Sequence, residues 1–222
     1  MTISEPMTLV TDAVLAGASL WFALRLARLA RRTRQRSIAL WSAAFMSGGA
    51  AALLGGIYHG FGPGLGALTS VILWKGTVWL AGVSSLTSLS GSLTAVLAAS
   101  PRAPLVGIVW AKFAVYAIWM AGRDEFRYVV YDQLTGMAAI LLLHAYDIYS
   151  RKDPAGRFMM AAVLASVAGA ALQQSGFDLH RNFNHNDLFH VVQIGANYLF
   201  YRGALLLRDR DQAPAAAPGT TR

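Results

Sequence analysis

"FNHNDLFHVVQIGANYLFYRGALLL", residues 183–207, opens on a dense polar cluster of Asn184, His185, Asn186, Asp187 and His190, then runs into a long apolar segment. The apolar part decides the class of fold. A transmembrane helix needs roughly 20 mainly apolar residues to cross a hydrocarbon core about 30 Å thick. Six further stretches meet the same test, so the sequence predicts helices at about 7–29, 38–60, 66–98, 103–121, 128–149, 158–175 and 187–207. The expected fold is all-α: a polytopic seven-transmembrane helix bundle over residues 1–207, followed by a disordered cytoplasmic tail over 208–222. The third stretch is too long for an upright span. It is expected to tilt, to extend beyond the membrane, or to break near Gly82 or Gly91, and a break would raise the count to eight spans.

Composition points the same way. Hydrophobic residues make up 55% of the chain and charged residues only 14%, against about one quarter charged in soluble domains. The mean hydropathy is +0.45. The formal charge of +8 could suit nucleic acid, but the arginines lie between the apolar stretches, where they orient a membrane protein instead, so no nucleic-acid partner is expected. Cysteine is absent, which removes disulfides, thiolate metal sites and cysteine nucleophiles. "RLARLARRTRQR" follows the first stretch, Arg102 the third, "SRKDPAGR" the fifth and "RDRD" the seventh. These are alternate loops, so the positive-inside rule puts the N-terminus outside and the C-terminus in the cytoplasm. Abundant Ala, Gly and Arg point to a bacterial cell inner (cytoplasmic) membrane, crossed several times. Nothing in the chain specifies an oligomeric state.

Topology sorts the polar residues by depth. His59 ends the second stretch, "GGIYHGFGPG", on the outer side; His185 and His190 start the seventh there, with His180 in the loop before it. His144 lies near the inner end of the fifth. Asn186, His190, Gln193 and Asn197 are spaced i, i+4, i+7 and i+11, which keeps them within about 60° of one another on a helix and makes a polar stripe roughly 16 Å long. Lipid offers such groups no partners, so the stripe must face the bundle interior or a wet cavity. Asp187 and His185 flank it, about 100° to either side.

Charges inside the spans need partners or purposes, since each costs roughly 2.5–3.5 kcal/mol on insertion scales. Lys75 in "ILWKGTVW" and Lys112 in "VWAKFAVY" lie near mid-membrane, and Asp132 in "YVVYDQL" is the nearest candidate counter-charge. Asp12, near the outer end of the first stretch, is another. For most of these residues a plain structural role competes with a functional one: helix-packing glue for Gln193 and Asn197, an ion pair for the lysines, a solvated side chain for His180. His59 and His190 stand apart because distant segments bring two imidazoles to a similar depth.

This pattern resembles the CREST superfamily of membrane hydrolases, which includes the alkaline ceramidases and the progestin and adipoQ receptor group. The resemblance implies a zinc ion held by one histidine of helix 2 and two of an H-x-x-x-H motif on helix 7, with a helix 2 serine and a helix 3 aspartate. By "NDLFHVVQ" and the helix 2 position, His190 and His59 carry over as ligands. Asn186 stands where the motif has its first histidine, so His185 is the third candidate, provided helix 7 starts after residue 185. Gly55 stands in the place of the serine, and Asp132 or Asp187 is left to serve as general base or to orient a ligand. The implied function is zinc-dependent hydrolysis of a membrane lipid amide or ester near the outer leaflet, with Lys75, Lys112, Asn186, Gln193 and Asn197 contacting substrate. The alternative is a non-enzymatic bundle that binds metal or haem, or that transports a small anion past the lysines.

Overall fold

In a computed structural model, residues 3–181 and 183–212 are described. They form seven α-helices and no β-strand: α1 (Pro6–Thr33), α2 (Arg36–Phe61), α3 (Ala67–Val96), α4 (Ala99–Ala121), α5 (Arg127–Arg151), α6 (Pro154–Ser175) and α7 (His185–Ala204). A single 3-10 turn, Gly62–Gly64, follows α2. Among the described residues α1, α2 with that turn, α3, α4 and α6 are long and apolar enough to cross a membrane. The other two helices fall short because they carry the interior polar groups: Asp132, Gln133, His144 and Asp147 on α5, and the stripe on α7. Large apolar side chains such as Leu68, Ile72, Ile108, Val115, Ile118 and Leu142 are exposed on the outside of the bundle. That surface suits lipid rather than water.

α3 is one unbroken helix of 30 residues, about 45 Å long at 1.5 Å per residue. The glycines that raised the prospect of a break are close-approach points instead. A Cβ at Gly82 would meet the Tyr116 ring of α4 at 2.4 Å, and one at Gly91 would meet Trp41 of α2 at 2.8 Å.

Helix neighbours define a ring in the order α1, α2, α3, α5, α6, α7 and back to α1, with α4 packed outside against α3. The two ends of the ring differ. Where α1, α3, α5 and α7 finish, Phe22, Leu26, Ile38, Trp41, Phe45, Leu93, Met159 and Phe200 pack into a continuous core. Phe22 and Tyr201 stack there at 4.6 Å, tying α1 to α7. His144 belongs to this end and is fully buried. The opposite end is looser and holds a cavity.

The segment after α7, expected to begin a disordered tail, is docked as far as Gln212. Asp209 accepts hydrogen bonds from the backbone N–H of Arg36 (2.7 Å) and Ser37 (2.8 Å) and from the Ser37 hydroxyl (2.6 Å), capping α2. Asp211 does the same for α4, accepting from Ala99 N–H (3.0 Å) and pairing with Arg102 (2.8 Å). "RDRD" therefore supplies two helix N-caps from a distant part of the chain, each favoured by the helix dipole. Residues 213–222, the remainder of the expected tail, lie outside the described residues. Asp209→Ala is expected to cost about 1–3 kcal/mol by leaving buried donors unpaired. Asp211→Ala, at an exposed pair, should cost less than about 1 kcal/mol. Thermal unfolding in detergent checks the order of the two.

Candidate functional site

A cavity of about 480 Å³ opens at the looser end of the ring. Its apolar walls come from α1, α2, α5, α6 and α7 through Leu15, Ala51, Val130, Leu134, Ala170 and Phe189. Its polar wall is largely the α7 stripe, since Asn186, His190, Gln193 and Asn197 all line it, joined by His185, His59 and Asp12. The 3.6-residue periodicity thus placed the stripe on the interior face, as the sequence required.

Within the stripe the hydrogen bonds run along and across the bundle. Gln173 of α6 donates to Asn186 Oδ1 (3.1 Å), Gln193 donates to Asn197 Oδ1 (2.9 Å), and Asn197 donates to Ser19 Oγ of α1 (3.1 Å). Gln193 and Asn197 therefore act both as packing glue and as cavity lining.

The densest cluster joins α1 to the start of α7. His190 Nε2 lies 3.3 Å from Asp12 Oδ1, and its Nδ1 lies 2.9 Å from Thr11 Oγ1. Thr11 in turn donates to Asp187 Oδ1 at 3.3 Å. Asp12, Thr11, Asp187 and His190 are all buried, and Asp12 Oδ2 has no hydrogen-bond partner among the described residues. When Nδ1 donates to Thr11, a single proton is left to be shared between Nε2 and Asp12. A pair of that kind can both take up and give back a proton.

Asp187 has a second task. Asn184 accepts from the N–H groups of Asn186 (2.8 Å) and Asp187 (3.3 Å), while Asp187 Oδ2 accepts from Asn184 N–H (2.8 Å). This is a capping box, so the polar cluster that opens the helix is the device that starts it. The carboxylate expected as a general base is consumed in holding α7 and orienting Thr11.

The other expected ligands are held by separate partners. α7 begins at His185, so His185 and His190 sit about 140° apart around the helix. Each of the three cavity histidines is paired with its own carboxylate: His59 with Glu5 (3.5 Å), His185 with Asp178 (2.9 Å) and His190 with Asp12 (3.3 Å). Among the described residues no three His, Asp or Glu side chains converge into a group that could hold a metal ion. In this arrangement the expected ligands stand apart, each on its own carboxylate.

The lysines are also accounted for, and neither lines the cavity. Lys75 pairs with Asp124 (2.8 Å) and donates to the carbonyls of Met120 (2.8 Å) and Arg123 (2.7 Å) at the end of α4. There the negative end of the helix dipole attracts it. Lys112 pairs with Asp132 (2.5 Å) and donates to the Asp132 carbonyl (3.0 Å) and Ser85 Oγ (3.2 Å). Asp132 was the expected counter-charge and takes that role; it does not line the cavity, so it is not placed to act as a base there.

Sequence reasoning assigned Asp12 only as a counter-charge for a lysine and overlooked Thr11. The available signal was a lone carboxylate inside the apolar run "LVTDAVL", whose partner no local pattern could name.

The glycine pair of α2 makes room for this cluster. A Cβ on Gly56 would lie 2.8 Å from Asp12 Cβ, whereas one on Gly55 would meet nothing closer than Thr77 Cγ2 at 3.5 Å.

The site defines an all-helical bundle with a part-polar, ligand-sized cavity at one end. The chain belongs to a family of unknown function, DUF6962, whose family model matches residues 7–209. No curated protein and no solved structure matches it.

Two outcomes check this geometry. Gly56→Ala should destabilise the protein by about 1–3 kcal/mol through overpacking against Asp12, while Gly55→Ala stays near wild type; thermal unfolding compares them. Hydrogen bonds from the His185 ring and then its backbone N–H hold the Asp178 carboxyl below its ordinary value of 3.8. The depressed pKa means that this contact contributes stability above the ordinary value and loses it as pH falls through the lowered one. In a carboxyl-carbon NMR titration Asp178 should move back up towards its ordinary value in His185→Ala.

Proposed function

We propose that this chain is a multi-pass protein of the bacterial inner membrane that crosses seven times, N-terminus outside and C-terminus in the cytoplasm. In this reading α5 and α7 complete the spans, their polar residues turned inward where the ring supplies partners. The alternating arginine-rich loops support the orientation.

The activity we infer is hydrolysis of a membrane lipid amide or ester at the outer leaflet, the chemistry of the CREST hydrolases that the sequence resembles. One observation carries it: the Asp12–His190 pair sits in the wall of a 480 Å³ cavity, and one Asp12 oxygen has no hydrogen-bond partner among the described residues. The apolar walls would take acyl chain while the stripe meets the polar linkage. Asp12 would take a proton from a water as that water attacks the substrate carbonyl, His190 holding the carboxylate. The same proton would then pass to the leaving amine or alkoxide, so that water is consumed and acid and alcohol or amine are released. Thr11 and Asp187 fix the imidazole from behind.

A zinc-dependent form of this hydrolysis is the second reading, favoured by the fact that His59, His185 and His190 all line one cavity. It requires these side chains to leave Glu5, Asp178 and Asp12. The anion-transport reading draws less support, because both lysines are engaged away from the cavity.

The experiment is an assay of tag-free protein in detergent against fluorescent N-acyl and O-acyl lipids, with and without added zinc, alongside metal analysis by mass spectrometry. Hydrolysis by wild type, lost in Asp12→Asn and His190→Gln with thermal stability retained, is the expected result. Near-stoichiometric zinc that disappears in His59→Ala and His190→Ala would assign the metal-dependent form. Wild type inert towards the whole panel under both conditions would overturn the hydrolase reading.

A further inference from the structure

α3 carries Thr77, Ser84, Ser85, Ser88 and Ser92 along its interior side, a hydroxyl seam about 22 Å long at 1.5 Å per residue. Thr77 and Ser84 line the large cavity. Ser84, Ser85 and Ser88 line a smaller chamber of about 80 Å³, which shares Ser19, Gly48, Gln133, Gln193 and Asn197 with the cavity and so continues it inward. That volume accommodates a few waters, and the polar groups around it are partners for them.

Trp41, Phe45, Ile140 and Phe200 form the apolar end of the chamber. Trp41 is only 3% exposed, and its indole N–H has no partner among the described residues. A buried donor without an acceptor costs about 1–3 kcal/mol, which a water at the chamber's end would offset. One turn further along α3 and α5 lies the second unpartnered group. Ser92 Oγ is 3.2 Å from His144 Nε2, His144 is 0% exposed, and His144 Nδ1 has no partner among the described residues. Beyond it on α5 comes buried Asp147, ion-paired with Arg151, which also lies 3.9 Å from Asp153 at the N-cap of α6. Packing alone does not call for an imidazole here, since an apolar side chain would fill the space without a desolvation cost.

We propose that this seam is a proton path through the bundle, running from the outer cavity along the chamber to His144 and on to Asp147 and Arg151 at the inner end. Protons pass between waters and hydroxyls by exchange of O–H bonds. His144 accepts one on one ring nitrogen and releases the proton of the other, so no charge or electron is stored. The ion pair of Lys112 and Asp132 touches the seam at Ser85 but presents opposite charges side by side, leaving the path close to neutral. Trp41 and Ile140 form the narrow point between the wet chamber and the relay.

The inference rests on the membrane-spanning reading but not on hydrolysis. The protein is reconstituted into vesicles of equal parts phosphatidylethanolamine and phosphatidylglycerol loaded with a pH-sensitive dye, and a potassium diffusion potential is imposed with valinomycin. Acidification faster than in protein-free vesicles is expected, lost in His144→Gln and accelerated in Ile140→Ser. The faster variant separates a blocked path from a misfolded protein. Protein that resists a carbonate wash yet conducts no better than empty vesicles overturns the proton path, as does a His144→Gln variant that conducts like wild type. Protein that the carbonate wash strips from the vesicles overturns the membrane reading itself.

Discussion

The bundle depends on the closure of its ring between the first helix and the last. α1 and α7 meet through His190–Asp12, Thr11–Asp187, Asn197–Ser19 and the Phe22–Tyr201 stack. Three of these four contacts are polar, and two of those three are buried. In a hydrocarbon surround new partners are scarce, so separating α1 from α7 would cost each of them a hydrogen bond or ion pair. That constraint keeps the stripe of α7 turned inward and fixes the position of the cavity.

The ring is closed differently at its two ends. One end is filled by aromatic and branched side chains and tied by the aspartates of the C-terminal segment to the starts of α2 and α4. At the other end small residues on α2, Ala51, Ala52 and Gly55, line open space. Polar groups can stay in that space because the histidines and carboxylates there satisfy one another in pairs. The hydroxyl seam of α3 extends the same polar environment towards the packed end.

Much of this was legible from residue patterns. Long apolar runs separated by arginine-rich loops announced the helices, and the i, i+4, i+7, i+11 spacing of Asn186, His190, Gln193 and Asn197 announced an interior polar face. The Lys112–Asp132 pair was also readable, because two opposite charges in mainly apolar segments at similar depth have few other options. Less legible were roles that local sequence could fill in more than one way. Asn184 and Asp187 read from the sequence as part of a polar cluster at the mouth of a helix, and backbone geometry makes them a capping box. "RDRD" read as the start of a tail because its partners, the N-termini of α2 and α4, are more than a hundred residues away.

The sequence by itself determined that the chain is helical and apolar enough in several segments to suit lipid, roughly where its helices run, and which face of a helix each polar residue takes. Those properties follow from composition and a local period of 3.6 residues, and they need no knowledge of neighbours. Only the tertiary structure decided that Asp12 belongs to His190, that Lys75 turns to the end of α4, that α4 stands outside the ring, and that three histidines line one cavity on separate carboxylates. Those outcomes depend on which helices become adjacent and how each is rotated. Helical periodicity gives a residue its face and depth, while a hydrogen bond requires two particular faces to meet within about 3 Å.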